Sequence, residues 1–428
     1  MNANHLRPHT KPTVLFVDMN SFFASCEQQD DPRLRHKPVA VCVYTGPRGC
    51  VIAPSIEAKK RGVRTGMRLD DARQRCPDLI AIETSPDRYR QYHIRIIDVL
   101  KRFSADVLPK SIDEAVVDLT RHQLTYKSMD EVARRIKAAI RTDVGDYLQC
   151  SIGIAPNVFL AKLASNQQKP DGLTTISPDN IDAVLARLTL TDLPGIGERM
   201  ATRLRKGGIQ TPLDLRYASP DRLKVVCQSI IGWHWHLRLN FGGEVDLATQ
   251  AYKNMQAIRS VSAEQRQSVE VLEMILRTLC LTLERRMVHR HLFCQRLQAW
   301  VRYWNDQRYE DELAFSVPMQ DGIELFQTIC QRMVRYAQQH RRGPLLNGDV
   351  RQIGVGVSDF VAANDVQYTL FEDHSRKDKL RQTLYAINER LGGKHLIRAT
   401  ELREGEGLKD LIGFGSIKDL HDIEWDDL

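Results

Sequence analysis

The sequence predicts a multidomain α+β protein, and three observations lead there. At 428 residues the chain exceeds one ordinary domain, so several units, each burying its own core, are expected. Strand-length apolar runs such as Thr13-Val14-Leu15-Phe16-Val17 occur beside stretches with helical spacing, such as Tyr92, Ile96, Val99 and Leu100. From Ala257 onward the pattern reads strand, helix, strand, strand, helix, strand, a βαββαβ order.

Composition narrows the class. Lys and Arg number 61 against 54 Asp and Glu, a net charge of +7, which suits a polyanionic partner without requiring one. The 9 cysteines are scattered and never in Cys-x-x-Cys spacing, so neither a disulfide framework nor a zinc site is indicated, and a reducing cytoplasm fits. Met1 to Thr10 is polar, and no apolar run approaches membrane-spanning length. A soluble cytoplasmic protein with no membrane partner is expected.

The chemistry concentrates at Ser111-Ile112-Asp113-Glu114-Ala115, followed by Val116-Val117-Asp118-Leu119. An acidic pair before strand-like alternation predicts carboxylates at the tip of a β-hairpin, because only a backbone turn brings neighbouring strand side chains to one site. A bare Asp-Glu pair is more often a solvated turn. A third acid, Asp18, shifts the balance, since the apolar run before it would deliver it to a sheet edge. Three acids near one another suit Mg²⁺, which is held by a few carboxylates plus substrate phosphates. Just after Asp18, Asn20 or Ser21 is expected to cap a helix whose free N–H groups suit a triphosphate. Phe22 is expected in the core and Phe23 in a more exposed role.

Asp18-Met19-Asn20-Ser21-Phe22-Phe23-Ala24-Ser25-Cys26-Glu27, Lys37-Pro38-Val39-Ala40-Val41 and the Ser111 to Ala115 stretch, in this order and spacing, resemble the Y-family DNA polymerases, enzymes that copy damaged templates. The likeness continues through Ser151-Ile152-Gly153-Ile154-Ala155, Leu160-Ala161-Lys162-Leu163-Ala164 and Lys169-Pro170-Asp171-Gly172, and covers most of the chain. It implies a right-hand polymerase: a ferredoxin-like palm (1–30 and 75–176), small fingers (31–74), a helix-hairpin-helix thumb (177–248), a βαββαβ little finger (255–359) and a tail (360–428).

The resemblance also implies roles. Asp18, Asp113 and Glu114 would be the catalytic carboxylates, holding two Mg²⁺ with help from the Met19 carbonyl. Phe23 would stack on the sugar and exclude a 2′-hydroxyl, with Phe22 beside it in the nucleotide pocket. Family members usually carry a Tyr and an Arg, three residues apart, on the fingers helix, here Ser55 to Gly62. This chain has Ile56 and Lys59 in those places. Lys59 offers a point charge rather than a bidentate fork, and Ile56 offers no hydroxyl. That substitution is nearer to polymerase V catalytic subunits than to polymerase IV, and it raises the expectation of a regulatory partner of the polymerase V type. Lys169 is placed to reach the triphosphate.

The remaining elements follow in order. Tyr89 to Phe103 and Glu131 to Ile140 read as helices backing a sheet, Cys150 to Ile154 as a strand, and Asn157 to Gln167 as a helix capped by Asn157. Leu193-Pro194-Gly195-Ile196-Gly197-Glu198-Arg199 is similar to a helix-hairpin-helix. Gly195 and Gly197 let the backbone approach a DNA phosphate, Arg199 stands beside them, and such contacts carry no base information. Trp233-His234-Trp235-His236 is expected in the thumb core, with no metal. Further on, strands are expected at Ala257–Ser262, Leu292–Tyr303, Glu310–Val317 and Val350–Ser358, and helices at Glu264–Val288 and Gly322–His340. Between residues 255 and 360 all the positive charge is arginine, among them Arg285, Arg286, Arg296 and Arg302, which suits phosphate along a stripe. Gln367, Leu370 and Phe371, within Gln367-Tyr368-Thr369-Leu370-Phe371, resemble the peptide that docks bacterial polymerases in the sliding clamp. Lys379 to Leu391 reads as an amphipathic helix, and the chain's last eight residues, from His421, are acidic.

The expectation is a template-directed DNA polymerase of the translesion type, copying without proofreading in DNA-damage tolerance of the SOS kind. Its partners would be primer-template DNA, deoxyribonucleoside triphosphates and the sliding clamp. Two rivals belong to other classes. A non-catalytic adaptor between clamp and DNA should have lost an acid, and all three are present. A nucleotide cyclase on a palm-like fold would have no helix-hairpin-helix and no second βαββαβ domain.

Overall fold

The computed structural model describes residues 10–46, 49–243, 253–367, 374–391 and 396–398. The chain divides into two units with the main boundary after Ala248, where the expected thumb ends. In the first unit the strands are β1 (Val14–Met19), β2 (Val39–Cys42), β3 (Val51–Pro54), β4 (Ile80–Glu83), β5 (Val107–Pro109), β6 (Glu114–Asp118), β7 (Cys150–Ala155) and β8 (Leu173–Thr175).

A five-stranded sheet runs β5-β6-β1-β7-β8. β1 lies at its centre, antiparallel to both β6 and β7, and all six of its residues are buried, which is why its sequence is a continuous apolar run rather than an alternating one. The helix Val158–Ser165 packs on β1 and β7. Gly153 permits that closeness, since a Cβ there would lie 2.0 Å from the Ala161 carbonyl oxygen. Asn157 caps this helix by accepting from the Leu160 N–H at 2.9 Å, as expected. The helices Pro86–Lys101 and Met129–Ala139 fall within a few residues of their expected positions.

The segment expected as fingers folds around its own small sheet, ordered β3-β2-β4. β4 pairs in parallel with β2, so this unit extends past residue 74, where the sequence reading ends it. A parallel neighbour needs a crossover, here supplied by the helices Ile56–Lys60 and Leu69–Arg75. The short run Ile80-Ala81-Ile82 carries no local sign of that pairing. Beyond the large sheet, the helices Glu198–Lys206, Pro212–Tyr217, Pro220–Cys227 and Ile231–Leu239 share a core with Val158–Ser165. Of the Trp233 to His236 cluster, Trp235 alone is in that core; Trp233, His234 and His236 are half-buried.

The second unit holds β9 (Asn254–Ser260), β10 (Leu292–Tyr303), β11 (Arg308–Met319) and β12 (Val350–Ala362), in the order β11-β10-β12-β9, all antiparallel. With the helices Val269–His289 and Gly322–Gln339 this is the expected βαββαβ order, in which β12 separates β9 from β10 as a split unit. The arginines divide. Arg286 is buried against the Gln256 carbonyl at 3.1 Å, and Arg296 is held by Glu312 and, at 2.8 Å, by Asp359, so both are committed inside the unit, whereas Arg302 is exposed. The helix His374–Arg390 does not dock by an apolar stripe: Leu380 is 71% exposed while Asp378 and Arg381 are buried. Its inward face is charged because it meets the buried Glu284. Gln367 is exposed, and Leu370, Phe371 and the acidic C-terminus lie outside the described residues.

Candidate active site

The sheet brings the acids together as the hairpin reading requires. β5 and β6 are joined through Lys110–Asp113, and the Lys110 N–H donates to the Glu114 carbonyl at 2.8 Å. Asp18 and Glu114 are directly paired in the β1–β6 register, and the Met19 N–H donates to the Asp113 carbonyl at 2.9 Å. The Ser111 hydroxyl donates to the Asp113 carboxylate at 2.5 Å, and the buried His93 ring lies 2.7 Å from the Ile112 carbonyl. These three acids line a cavity of about 610 Å³. Met19, Phe22, Phe23, Ile56, Lys59 and Lys169 line it too.

Each outer carboxylate has its own lysine. Lys169 stands 2.7 Å from Asp18, and Lys162 stands 2.8 Å from Glu114. Burial pushes the Asp18 carboxyl up to about 6; the Lys169 ammonium opposes that rise, and the charges of Glu114 and Asp113 add to it. Burial likewise raises Asp113, with the Ser111 bond opposing. Lys59, at the rim, is held below the usual lysine value by partial burial and then by the charge of Lys169. Among the described residues, no three His, Cys, Asp or Glu side chains converge tightly enough to grip a metal ion as they stand. Asp18 and Glu114 are instead each paired with a lysine. The donor set of carboxylate oxygens nevertheless suits a hard divalent cation, and its burial leaves negative charge that such a cation would relieve.

Several expectations need correction. Ser21 takes the cap position before the helix Phe22–Asp30, but in a left-handed conformation (φ 52°) and with no side-chain cap bond. Asn20 does not cap either. Its side-chain oxygen accepts from the Asp171 N–H at 2.7 Å and its amide donates to Ser151 at 3.1 Å, which ties the turn carrying Lys169 to the end of β1. Phe23 is not exposed; it is 5% accessible and stacked on Tyr89, though it still presents to the cavity. Lys162 and Tyr89 received no role in the sequence reading, and Asn20 received only that of a cap. A signal existed for Lys162, a lone cation in the otherwise apolar Val158-Phe159-Leu160-Ala161-Lys162-Leu163-Ala164.

In the helical region, Gly195 has φ +84° and Gly197 is the cap residue of Glu198–Lys206, with Arg199 exposed in its first turn. The tight turn and the open helix start are those expected of a phosphate-binding hairpin.

Comparison with known proteins agrees. The impB/mucB/samB family model matches residues 17–166, its C-terminal domain model matches 253–370, and a SAM-like helix-hairpin-helix tandem matches 187–226. A DNA polymerase IV of Pelotomaculum thermopropionicum is 30% identical over 409 residues, 94% of this chain and 98% of the relative. A DNA polymerase IV of Ralstonia nicotianae is 37% identical over 211 residues, 49% of this chain and 58% of the relative. Both carry the polymerase IV name, so the leaning toward polymerase V drawn from Ile56 and Lys59 finds no support in them. A Y-family DNA polymerase chimera superposes with a TM-score of 0.68 at 24% identity, covering 82% of this chain and 99% of its own. The insertion ternary complex of Dbh DNA polymerase superposes with a TM-score of 0.57 over the same shares. No helix of the described residues is long and apolar enough to cross a membrane. The chain therefore belongs to the Y family of DNA polymerases, the translesion family its motifs resemble, and is a DNA-directed DNA polymerase.

Proposed function

We propose that this polymerase inserts deoxyribonucleotides opposite damaged template by two-metal nucleotidyl transfer. The observation that carries the reading is the direct pairing of Asp18 with Glu114 across β1 and β6, with Asp113 at the adjoining turn, on a cavity that also presents Phe23 and Lys169. Asp18, Asp113, Glu114 and the Met19 carbonyl would hold the ions. When bound, two Mg²⁺ ions supply activation of the primer 3′-hydroxyl and neutralisation of the leaving pyrophosphate.

The chain's own residues do the rest. Phe23 closes the sugar side of the cavity and excludes a 2′-hydroxyl, and Phe22 packs beside it at 5.8 Å between ring centres. Lys169 exchanges Asp18 for the triphosphate, Lys59 adds charge at the rim, and Ile56 contributes only an apolar wall. Gly195, Gly197 and Arg199 take the DNA backbone. Gln367, Leu370 and Phe371 dock the sliding clamp, and clamp capture should fall to background when Leu370 and Phe371 are both changed to alanine; undiminished capture would remove them from the role.

Primer extension by the purified chain with Mg²⁺, on undamaged and abasic templates, tests the reading beside Asp113→Ala. Extension past the abasic site should be seen, and it should vanish in the variant while DNA binding persists. Absence of extension on both templates with DNA binding intact would favour a partner-dependent subunit or an adaptor of the SOS response, and adding clamp and a polymerase V-type partner separates those two.

A further inference from the structure

Lys162 reaches the site from a helix whose other seven residues are uncharged. Its ammonium lies 3.0 and 2.8 Å from the two Glu114 carboxylate oxygens and 5.2 Å from the centre of the Phe16 ring. Its geometry differs from that of Lys169. The cavity wall includes Lys169 and Glu114 but not Lys162, whose side chain is 35% accessible, so Lys162 meets Glu114 from outside the cavity. Its helix is also fixed, because the Asn157 amide donates to the Arg238 and Gly242 carbonyls at 2.9 and 3.1 Å.

We propose that Lys162 is a positioning residue, orienting Glu114 and competing for its carboxylate with the cation at the primer terminus. The inference rests on the two-metal reading above. A triphosphate entering the cavity can draw Lys169 off Asp18, because both face the same space. Lys162 is not part of that lining, so a triphosphate in the cavity does not meet it and its pair with Glu114 is kept. A cation bound by Glu114 must then share oxygens already engaged by an ammonium, and the two positive charges repel across a few ångströms. Glu114 is thus held in a fixed orientation and grips its cation less tightly than an unpaired glutamate would. A purely structural role for Lys162 would affect folding but not the affinity for the cation.

Mn²⁺ binding to the full-length chain, read from the electron paramagnetic resonance signal of the free ion, separates these roles. Lys162→Met should tighten the apparent Kd about three- to fivefold, the scale of a partly exposed ion pair. Lys162→Arg, which keeps the charge, should stay within about twofold of the wild type on the same scale. In a Glu114→Gln background, Lys162→Met should change nothing. Circular dichroism melting checks that each variant is folded, and Lys162→Gln replaces Lys162→Met if the latter is not. Equal affinity in folded Lys162→Met and wild type would overturn the proposal, as would a tightening that persists without Glu114. Asp113→Ala is the control for the underlying reading: if it binds Mn²⁺ like the wild type, the metal assignment itself fails. If it loses binding while Lys162→Met is unchanged, the role of Lys162 alone fails.

Discussion

Phe23 lies against Tyr89 with ring centres 4.3 Å apart and planes 17° from parallel. Tyr89 is itself held, since its hydroxyl donates to Glu27 at 2.7 Å and Glu27 is ion-paired with Arg88. The ring proposed to face the sugar is therefore backed by a fixed ring. Phe23→Ala should admit ribonucleotides, raising the ratio of ribonucleotide to deoxyribonucleotide kcat/KM at least about tenfold, which corresponds to ~1.4 kcal/mol of lost discrimination. It should also destabilise the fold by about 3 kcal/mol as a core truncation. Tyr89→Ala should loosen the same discrimination to a smaller degree, because the gate remains but its backing is gone. Single-nucleotide insertion kinetics with both sugar types decide this, and unchanged sugar discrimination in Phe23→Ala would remove it from the role.

The carboxyl cluster makes the metal-free protein sensitive to pH in a definite direction. Asp18 is pushed up to about 6 chiefly by burial, and Asp113 and Glu27 are raised by the same cause. A carboxyl whose pKa is higher folded than unfolded binds its proton more tightly in the native state. Its contribution to stability is full below about 4, the unfolded value, and is lost as pH rises through the folded one. The melting midpoint in chelator should accordingly fall between pH 5 and 7.5, about where Asp18 titrates. Asp18→Asn should flatten that slope. A slope identical to that of the wild type would show that Asp18 does not carry the charge strain.

How much of this was legible in the sequence depends on the range of the interactions. The hairpin tip at Asp113 and Glu114 and the strand ending at Asp18 could be read, because an apolar run and an acidic pair are local patterns. The βαββαβ order was legible for the same reason, each boundary resting on its own periodicity. β4 was not, since its pairing with β2 is set by packing across two intervening helices. Phe23 was placed on the wrong side of the surface because its partner, Tyr89, is far along the chain and nothing local announces the stack. The tail helix was legible as a helix, starting earlier than expected at His374, but its contact with the rest of the second unit was not, because that contact is Arg381 meeting a buried acid far back in the chain.

That buried acid is the basis of a stability prediction. Glu284 is fully buried; it accepts from the Gly322 N–H at 2.5 Å and the Tyr385 hydroxyl at 2.9 Å, and is paired with Arg398. Arg381 stands 3.8 Å from it and 2.9 Å from Asp321. Arg381→Ala should cost about 3–5 kcal/mol, since removing one partner leaves the other charge buried with too little compensation. Glu284→Leu combined with Arg381→Leu should cost less, because the buried acid is removed with its partner and Arg398 keeps Asp321 at 3.6 Å. Denaturant melts measure the difference, and hydrogen exchange over residues 374–391 reports whether the helix is released in Arg381→Ala. Equal losses in the single and double variants would mean the pair is not the anchor.

Trp300 and Gly354 are opposite one another in the β10–β12 register, on the sheet face away from Leu297, Val301, Ile353 and Val355 in the core. A Cβ at Gly354 would lie 2.1 Å from the indole, so the ring lies directly over the glycine backbone and the glycine is there to admit it. An ordinary Gly→Ala change in a strand interior is favourable, because it restricts the unfolded chain and suits the extended backbone. Here the methyl must displace the ring, and Gly354→Ala should instead destabilise by about 1–3 kcal/mol, the usual cost of overpacking. If the indole is the cause, Gly354→Ala should become neutral or stabilising once Trp300 is changed to Val, which removes the ring and keeps a strand-forming side chain. The double-mutant cycle should then show a coupling of about 1–3 kcal/mol between the two positions. Additive effects would mean that the ring can move aside at no cost, and Gly354 would then need another explanation.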